Sequence, residues 1–397
     1  MRILLSSLFL GLSLLTTNAF AGSFDGRYVV SEEDLNLLPS EMKPATILSH
    51  KGLHLVKLNE KQVKTLKHHV HEKKHTCGGL MAVETDLQRT SPQALLEQLA
   101  SPQVARTDVQ SAPQFASAVE FVISKTVKNR YEATLKNLTA FTDRYANSDT
   151  GVQAAEWLRD QLLKAAKDTG HNNVTAEMIA TPNFKQPSVV VKLAGTDSTL
   201  PAVLIGGHMD TYRTNKPGAD DDGSGSISVV EAFVALMESK IKLKRDAYFA
   251  FYAAEEWGLY GSAAVVKEFK ARGIQMRGVL QLDMTAFKSP KDEHPLYIIT
   301  DYTTKEVNTL LVQLLDKYVG LKVVGTSKCG YACSDHASWY RAGYPVAFPF
   351  EASFENDNKA IHSGSDTMSL LDMDHAMNFV KLAAAFVVEL GEPVGGK

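Results

Sequence analysis

Cysteine is scarce: Cys77, Cys329 and Cys333 are all there is in 397 residues, so at most one disulfide can close within the chain. Basic charge is not in surplus either. Against 45 Asp and Glu stand 42 Lys and Arg, and the net charge of -3 leaves no electrostatic footprint for a nucleic acid. Past the N-terminus no stretch reaches the roughly 18 consecutive apolar residues of a membrane span. Internal repeats and long low-complexity segments are absent too, which excludes repeat architectures. What remains is ordinary globular material, 44% hydrophobic and 22% charged, long enough for two or three units.

The N-terminus has a distinct order: Arg2, an apolar run from Ile3 to Leu15, then Ala19-x-Ala21. A charged, apolar and small-residue succession of this length reads as a secretory signal peptide over residues 1–21. Export and a soluble product without stable membrane association are expected. In an oxidising compartment the close pair in "CGYAC", Cys329 and Cys333, is a candidate disulfide across a tight loop, with two buried thiols as the alternative. Cys77 has no obvious partner.

Residues 22–112 differ in character from the rest of the chain. Six of the 12 histidines fall here (His50, His54, His68, His69, His71 and His75), in a Lys- and Glu-rich segment with short strand-like pieces, "RYVVS" and "HLVKL". The cluster "HHVHEKKH" lacks the convergent acidic or Cys partners of a zinc site, so it reads as His and Lys dispersed on a solvated face. The segment closes in "ASPQVARTDVQSAP", a polar stretch bounded by Pro102 and Pro113, which has linker character. Downstream of a signal peptide it reads as a removable propeptide, with a permanent small N-terminal domain as the competing reading. Residues 113–397 then alternate helical runs such as "TGVQAAEWLRDQLLKAAKDTG" with short apolar runs such as "AVLIGG", "DAYFAFYAA" and "GVLQLDM". That alternation predicts an α/β domain whose central sheet, mixed and largely parallel, is sandwiched between helices.

Chemistry collects where these strands end. "AVLIGG" runs into His208-Met209-Asp210, "DAYFAFYAA" into Glu255-Glu256, and "GVLQL" into Asp283. Ligand sites in α/β sheets form outside the carboxyl ends of the strands. An Asp two residues beyond a His can accept the proton of one ring nitrogen and make the other a better ligand. Of two adjacent glutamates, one can bind metal while the other takes a proton from activated water. The stretch "GADDDGSGS" sets Asp220, Asp221 and Asp222 before a helical run. A carboxylate shared by cations would offset the crowding, and Asp222 or Ser224 can still cap the helix. One imidazole and several carboxylates at one edge suit zinc, and His362 in "KAIHSGSDT" is the candidate second imidazole.

With these pieces assembled, the chain resembles the secreted bacterial leucyl aminopeptidases, co-catalytic di-zinc metallopeptidases. "GGHMDT", "GADDDGSG", "YAAEEWGLYGS", "QLDMT", "CGYACSDHASW" and "AIHSGSDT" occur in the family's order across roughly residues 125–391. The resemblance implies two zinc ions bridged by Asp221, with His208 and Asp283 completing one site and Glu256 and His362 the other. It also implies Glu255 as general base, Asp210 as the partner of His208, a disulfide between Cys329 and Cys333, and Tyr331 as a stabiliser of the reacting carbonyl oxygen.

The implied fold is that of the zinc-dependent exopeptidases, and the implied partners are peptides with a free N-terminus, met by a monomer. Matching positions for an apolar pocket are Met284, Ile299, Phe348, Phe350, Phe354 and Ile361, which lean toward Leu or another large apolar first residue. Asp357 departs from the pattern, standing where leucine-preferring relatives carry an aromatic. Rival readings are a glutaminyl cyclase or another amidohydrolase on the same fold, and a non-catalytic binding domain. The last would be favoured by loss of a ligand or of the base, and none is lost.

Overall fold

The computed structural model describes residues 25–74, 79–83, 87, 90–100, 109 and 112–395. The expected signal peptide, Cys77 and most of the polar 101–111 stretch lie outside them. Among the described residues no helix is long and apolar enough to cross a membrane.

Two sheets organise the chain. The smaller is antiparallel, built from β1 (Asp25–Ser31), β2 (Thr46–His50), β3 (Leu53–Asn59) and β4 (Leu80–Ala82) in the order β2-β3-β1-β4. Helix α1 (Glu60–Lys74) follows β3 directly, and α2 (Pro92–Ala100) follows β4.

The larger sheet has eight strands: β5 (Val174–Ile179), β6 (Ser188–Leu193), β7 (Ala202–His208), β8 (Ala247–Tyr252), β9 (Met276–Gln281), β10 (Tyr297–Ile299), β11 (Gly325–Ser327) and β12 (Val346–Phe350). Their order is β11-β10-β12-β9-β7-β8-β6-β5, and the central run β12-β9-β7-β8 is parallel throughout.

Burial on both faces explains why these strands read as unbroken apolar runs. Along β8, Phe249 and Phe251 enter one core while Tyr248, Ala250 and Tyr252 enter the other, as period-two side chains must. The first face is covered by α3 (Ala116–Ile123), α4 (Lys128–Thr139), α5 (Asp149–Asp168), α6 (Gly225–Ser239), α8 (Lys305–Leu314) and α10 (Met373–Gly391). Helices α7 (Tyr260–Ala271) and α9 (His336–Arg341) cover the second through Val265, Phe269 and Trp339. Amphipathic α5 begins with a capping Ser148, whose hydroxyl accepts from the Gly151 amide.

The N-terminal sheet does not keep its core to itself. Tyr28, Val56, Leu66 and Val70 pack in one cluster with Ala146, Ala254, Trp257 and Tyr260 of the larger unit. On its other face Val29, Leu55 and Met81 join Leu95, Leu96 and Leu99 of α2 with Leu259 and Ala337.

The helical spacing of "LKNLTAFTDRYA" (residues 135–146) misleads: α4 starts upstream and stops at Thr139, and Arg144 is buried in the loop beyond. The sequence reading did not include edge strands β5 and β11 or helices α3 and α9.

Helix α6 starts almost in contact with the sheet edge. A Cβ built on Gly225 would stand 2.2 Å from the Leu282 carbonyl oxygen and 2.4 Å from Asp222 Oδ1. Gly225→Ala should therefore destabilise the chain by about 1–3 kcal/mol through overpacking, read as a lower urea midpoint with an unchanged slope. An unchanged midpoint would mean that this approach is not tight.

Candidate metal centre

Because β7, β8 and β9 are parallel, their carboxyl ends open on one edge. His208 is the last residue of β7 and pairs with Tyr252, the last of β8. Glu255 and Glu256 follow β8 in a tight turn, and Asp283 follows β9. The loop ahead of α6 brings Asp221 to the same edge, and the loop after β12 brings His362.

Asp221 lies between the two imidazoles. Its Oδ1 is 3.0 Å from His208 Nε2, and its Oδ2 is 3.1 Å from His362 Nε2. Asp283 Oδ1 is 3.6 Å from His208 Nε2, while Glu256 Oε2 is 3.1 Å from His362 Nε2. Two donor groups result, His208–Asp221–Asp283 and Asp221–Glu256–His362, each with its ligand atoms within 4.8 Å of one another. They share Asp221.

The backbone is forced into place here. Ala254 (φ 51°), Met284 (φ 58°) and His362 (φ 57°) are non-glycine residues in the left-handed region. Each such residue costs of order 1–3 kcal/mol and persists only when its surroundings hold it.

Hydrogen bonds to the flanking carboxylates supply that hold. Asp210 lies 3.4 Å from His208 Nδ1 and accepts the amides of Glu255 and Glu256 on its two oxygens, so it fixes both the ring and the glutamate turn. Asp222 turns away from the donor groups, accepting the His208 amide on one oxygen and the Gly225 and Met284 amides on the other. Asp222 is thus the helix cap, whereas Ser224 donates to the Asp220 carbonyl and accepts the Thr285 amide.

Further residues, not singled out from sequence, complete the frame. Asp366 accepts the amides of Asp220 and Asp221, and Ser334 donates to Asp283 Oδ2 at 2.6 Å. Arg144, fully buried, donates to the carbonyls of Met209, Pro217 and Gly218. Asp366 and Ser334 stood inside quoted motifs, but Arg144 carried no local signal.

Charge is concentrated well beyond what burial ordinarily tolerates. Burial pushes the Asp221 carboxyl up, but hydrogen bonds and charge from His208 and His362 outweigh it and hold the group well below its ordinary value. Burial would likewise lower the His362 imidazole, yet Glu256 and Asp221 raise it to about 9. Glu255 is raised well above the carboxylate range, first by burial and further by Asp335 and Glu256, against the opposing charge of His208. Asp335 itself rises to about 8 through burial.

Among the described residues, Glu256 Oε1 and Asp283 Oδ1 are buried without a hydrogen bond. Buried acceptors left open in this way fit a cation, and two imidazoles with three carboxylates suit zinc.

Beside the donor groups lies an apolar cluster. Met284, Ile299, Phe348, Phe350 and Ile361 are buried together with Cys333, and Cys329, Tyr331 and Phe354 pack against them. All six expected pocket residues meet there. Cys329 and Cys333 are joined by a disulfide, with Tyr331 between them. Asp357 is buried, pairs with Lys359 and is pushed up to about 7, chiefly by burial.

One expectation holds only in part. The stretch "HHVHEKKH", read as His and Lys dispersed on a solvated face, leaves His68, Glu72 and Lys73 exposed but sets the His71 ring 5.0 Å from that of His362. Just ahead of it on α1, Lys67 is buried. A partner 189 residues away, Glu256, makes that burial possible, and no local pattern encodes it.

Fold and site together set two adjoining donor groups, each able to hold a cation, at the carboxyl edge of a mixed sheet. Residues 188–387 match Peptidase family M28. A probable leucine aminopeptidase of Arthroderma otae is 36% identical over 285 residues, covering 69% of this chain and 75% of the relative. Among solved structures, the Legionella pneumophila LapA aminopeptidase superposes with a TM-score of 0.85 at 34% identity, covering 93% of this chain and 99% of that one. LapB from the same organism gives 0.83 at 33% identity, covering 93% and 100%. The chain belongs to Peptidase family M28.

The shared carboxylate is the test of the centre. Asp221→Ala should leave purified protein with little bound zinc by elemental analysis. Wild-type zinc content in that variant would reduce Asp221 to a residue of the turn before α6.

Proposed function

We propose that this metallo-aminopeptidase removes the N-terminal residue from peptides, preferring Leu or another large apolar residue. The observation that carries the reading is the pairing of the two donor groups, which share Asp221, with Glu255, a buried carboxylate belonging to neither. Two zinc ions held by His208, Asp221, Asp283, Glu256 and His362 would supply Lewis acidity and lower the pKa of a shared water.

The chain's own groups do the rest. Glu255, its Oε2 buried without a hydrogen bond among the described residues, takes the proton of the attacking water. Burial raises its pKa well above the ordinary carboxylate range, the direction that makes a carboxylate a stronger base. The same carboxyl then delivers the proton to the departing amine. Tyr331, packed against the apolar cluster, donates to the carbonyl oxygen as it gains charge. Met284, Ile299, Phe348, Phe350, Phe354 and Ile361 receive the first side chain, and burial of a Leu there is worth about 1.5–3 kcal/mol. Asp210 keeps His208 and the glutamate turn aligned.

We further propose that residues 1–21 direct export and that residues 22–112 form a removable pro-region. The shared core around Trp257 and Tyr260 supports an N-terminal unit seated beside the glutamate turn.

Hydrolysis of leucine p-nitroanilide, measured after a protease has cut the chain within residues 101–112, tests the reading. Activity should disappear on chelation and return with zinc. Glu255→Ala should retain zinc while turnover falls by about 10²–10⁴-fold. Substantial turnover by that variant would remove Glu255 from the proton transfer, and an inactive zinc-loaded wild type would favour another amide substrate.

A further inference from the structure

Lysine is almost never fully buried unless paired, yet the Lys67 side chain is 2% exposed. Its Nζ lies 3.1 Å from Glu256 Oε2, a carboxylate equally buried. The same Oε2 lies 3.1 Å from His362 Nε2 and so faces the centre of the second donor group. Around it the contacts continue. Lys67 Nζ is 5.2 Å from the centre of the Tyr212 ring, which stacks on His362 at 4.6 Å. The Tyr212 hydroxyl donates to the Lys64 carbonyl at 3.4 Å. His71 meets the other partner of this stack, with its ring 5.0 Å from His362. Three residues of one helix thus engage Glu256, His362 and Tyr212. The first donor group is framed by Asp210 and Ser334 instead.

We propose that Lys67 is an intramolecular occupant of the second cation site, its ammonium competing with metal for Glu256. Two cations on one buried carboxylate repel one another, and burial weakens the solvent screening between them. Full metal affinity at Asp221–Glu256–His362 therefore requires α1 to withdraw, while His208–Asp221–Asp283 fills regardless. By thermodynamic reciprocity, metal at the second site loosens α1 by the same factor. The inference rests on Glu256 being a ligand and on the N-terminal unit being a pro-region. It adds a coupling between metal loading and release of that unit.

Zinc titration of the uncut chain against a competing chelator tests it. Wild type should bind one zinc tightly and a second at least about tenfold more weakly than Lys67→Met does. Lys67→Met keeps the length of the side chain and removes its charge. Lys64→Met, on the same helix, should behave as wild type. Equal affinity for both zincs in wild type and Lys67→Met would overturn the proposal.

Hydrogen exchange on wild type gives a reading independent of any variant. Amides of α1 should lose protection as the second zinc binds, and unchanged protection with both sites filled would equally overturn it. Peptidase activity of the cut chain is scored separately. A two-zinc cut chain without activity would sink the proposed reaction and leave the competition intact. An active cut chain with no Lys67 effect would do the reverse.

Discussion

Everything at this sheet edge depends on one carboxylate held between two imidazoles. Asp221 is acidic enough to stay ionised in a buried site only because His208 and His362 face its two oxygens. Taking an ion out of water costs several kcal/mol even after relaxation. The fold crowds Asp210, Asp220, Asp222, Glu255, Glu256 and Asp283 into the same buried region. Such a concentration is tolerable where backbone amides, imidazoles and cations meet it. Asp210, Asp222 and Asp366 absorb amides from the turns that carry the donors, and Arg144 links the loop before Asp220 to the end of β7 by donating to the carbonyls of Gly218 and Met209.

The same constraint accounts for the strain. Left-handed Ala254, Met284 and His362 lie beside or within the donor groups, where the sheet and the helix start leave no easier path for the chain. It also accounts for the seating of the N-terminal unit. The turn holding Glu255 and Glu256 continues into Trp257 and Tyr260, which pack with Tyr28, Leu66 and Val70. Apolar docking thus brings a buried lysine onto this cluster of buried carboxylates, and the distance between core packing and charge balance is a few residues.

Much of this was legible in the sequence. Strands buried on both faces announce themselves as apolar runs, as "AVLIGG", "DAYFAFYAA" and "GVLQLDM" do for β7, β8 and β9. Their successors His208, Glu255, Glu256 and Asp283 could be placed at one edge because parallel strands end together. The pocket residues came from motif resemblance rather than from periodicity, and the disulfide from close spacing in an expected oxidising compartment as well as from the resemblance. What stayed hidden depended on distant contacts. Edge strand β5 alternates half-buried and exposed residues, and β11 has three residues with one Gly. Arg144 sits in what spacing makes look like a helix. Lys67 is the plainest case: its helix is polar, and only Glu256, 189 residues away along the chain, accounts for its burial.

The central claim is that Asp221 is shared by two metal ions. Anomalous diffraction at the zinc edge, from crystals of the Lys67→Met chain soaked in excess zinc, tests it most directly. The account predicts two peaks about 3.5 Å apart, one beside His208 and Asp283 and the other beside Glu256 and His362, with Asp221 between them. A single peak, or a pair that leaves Asp221 unligated, would contradict it.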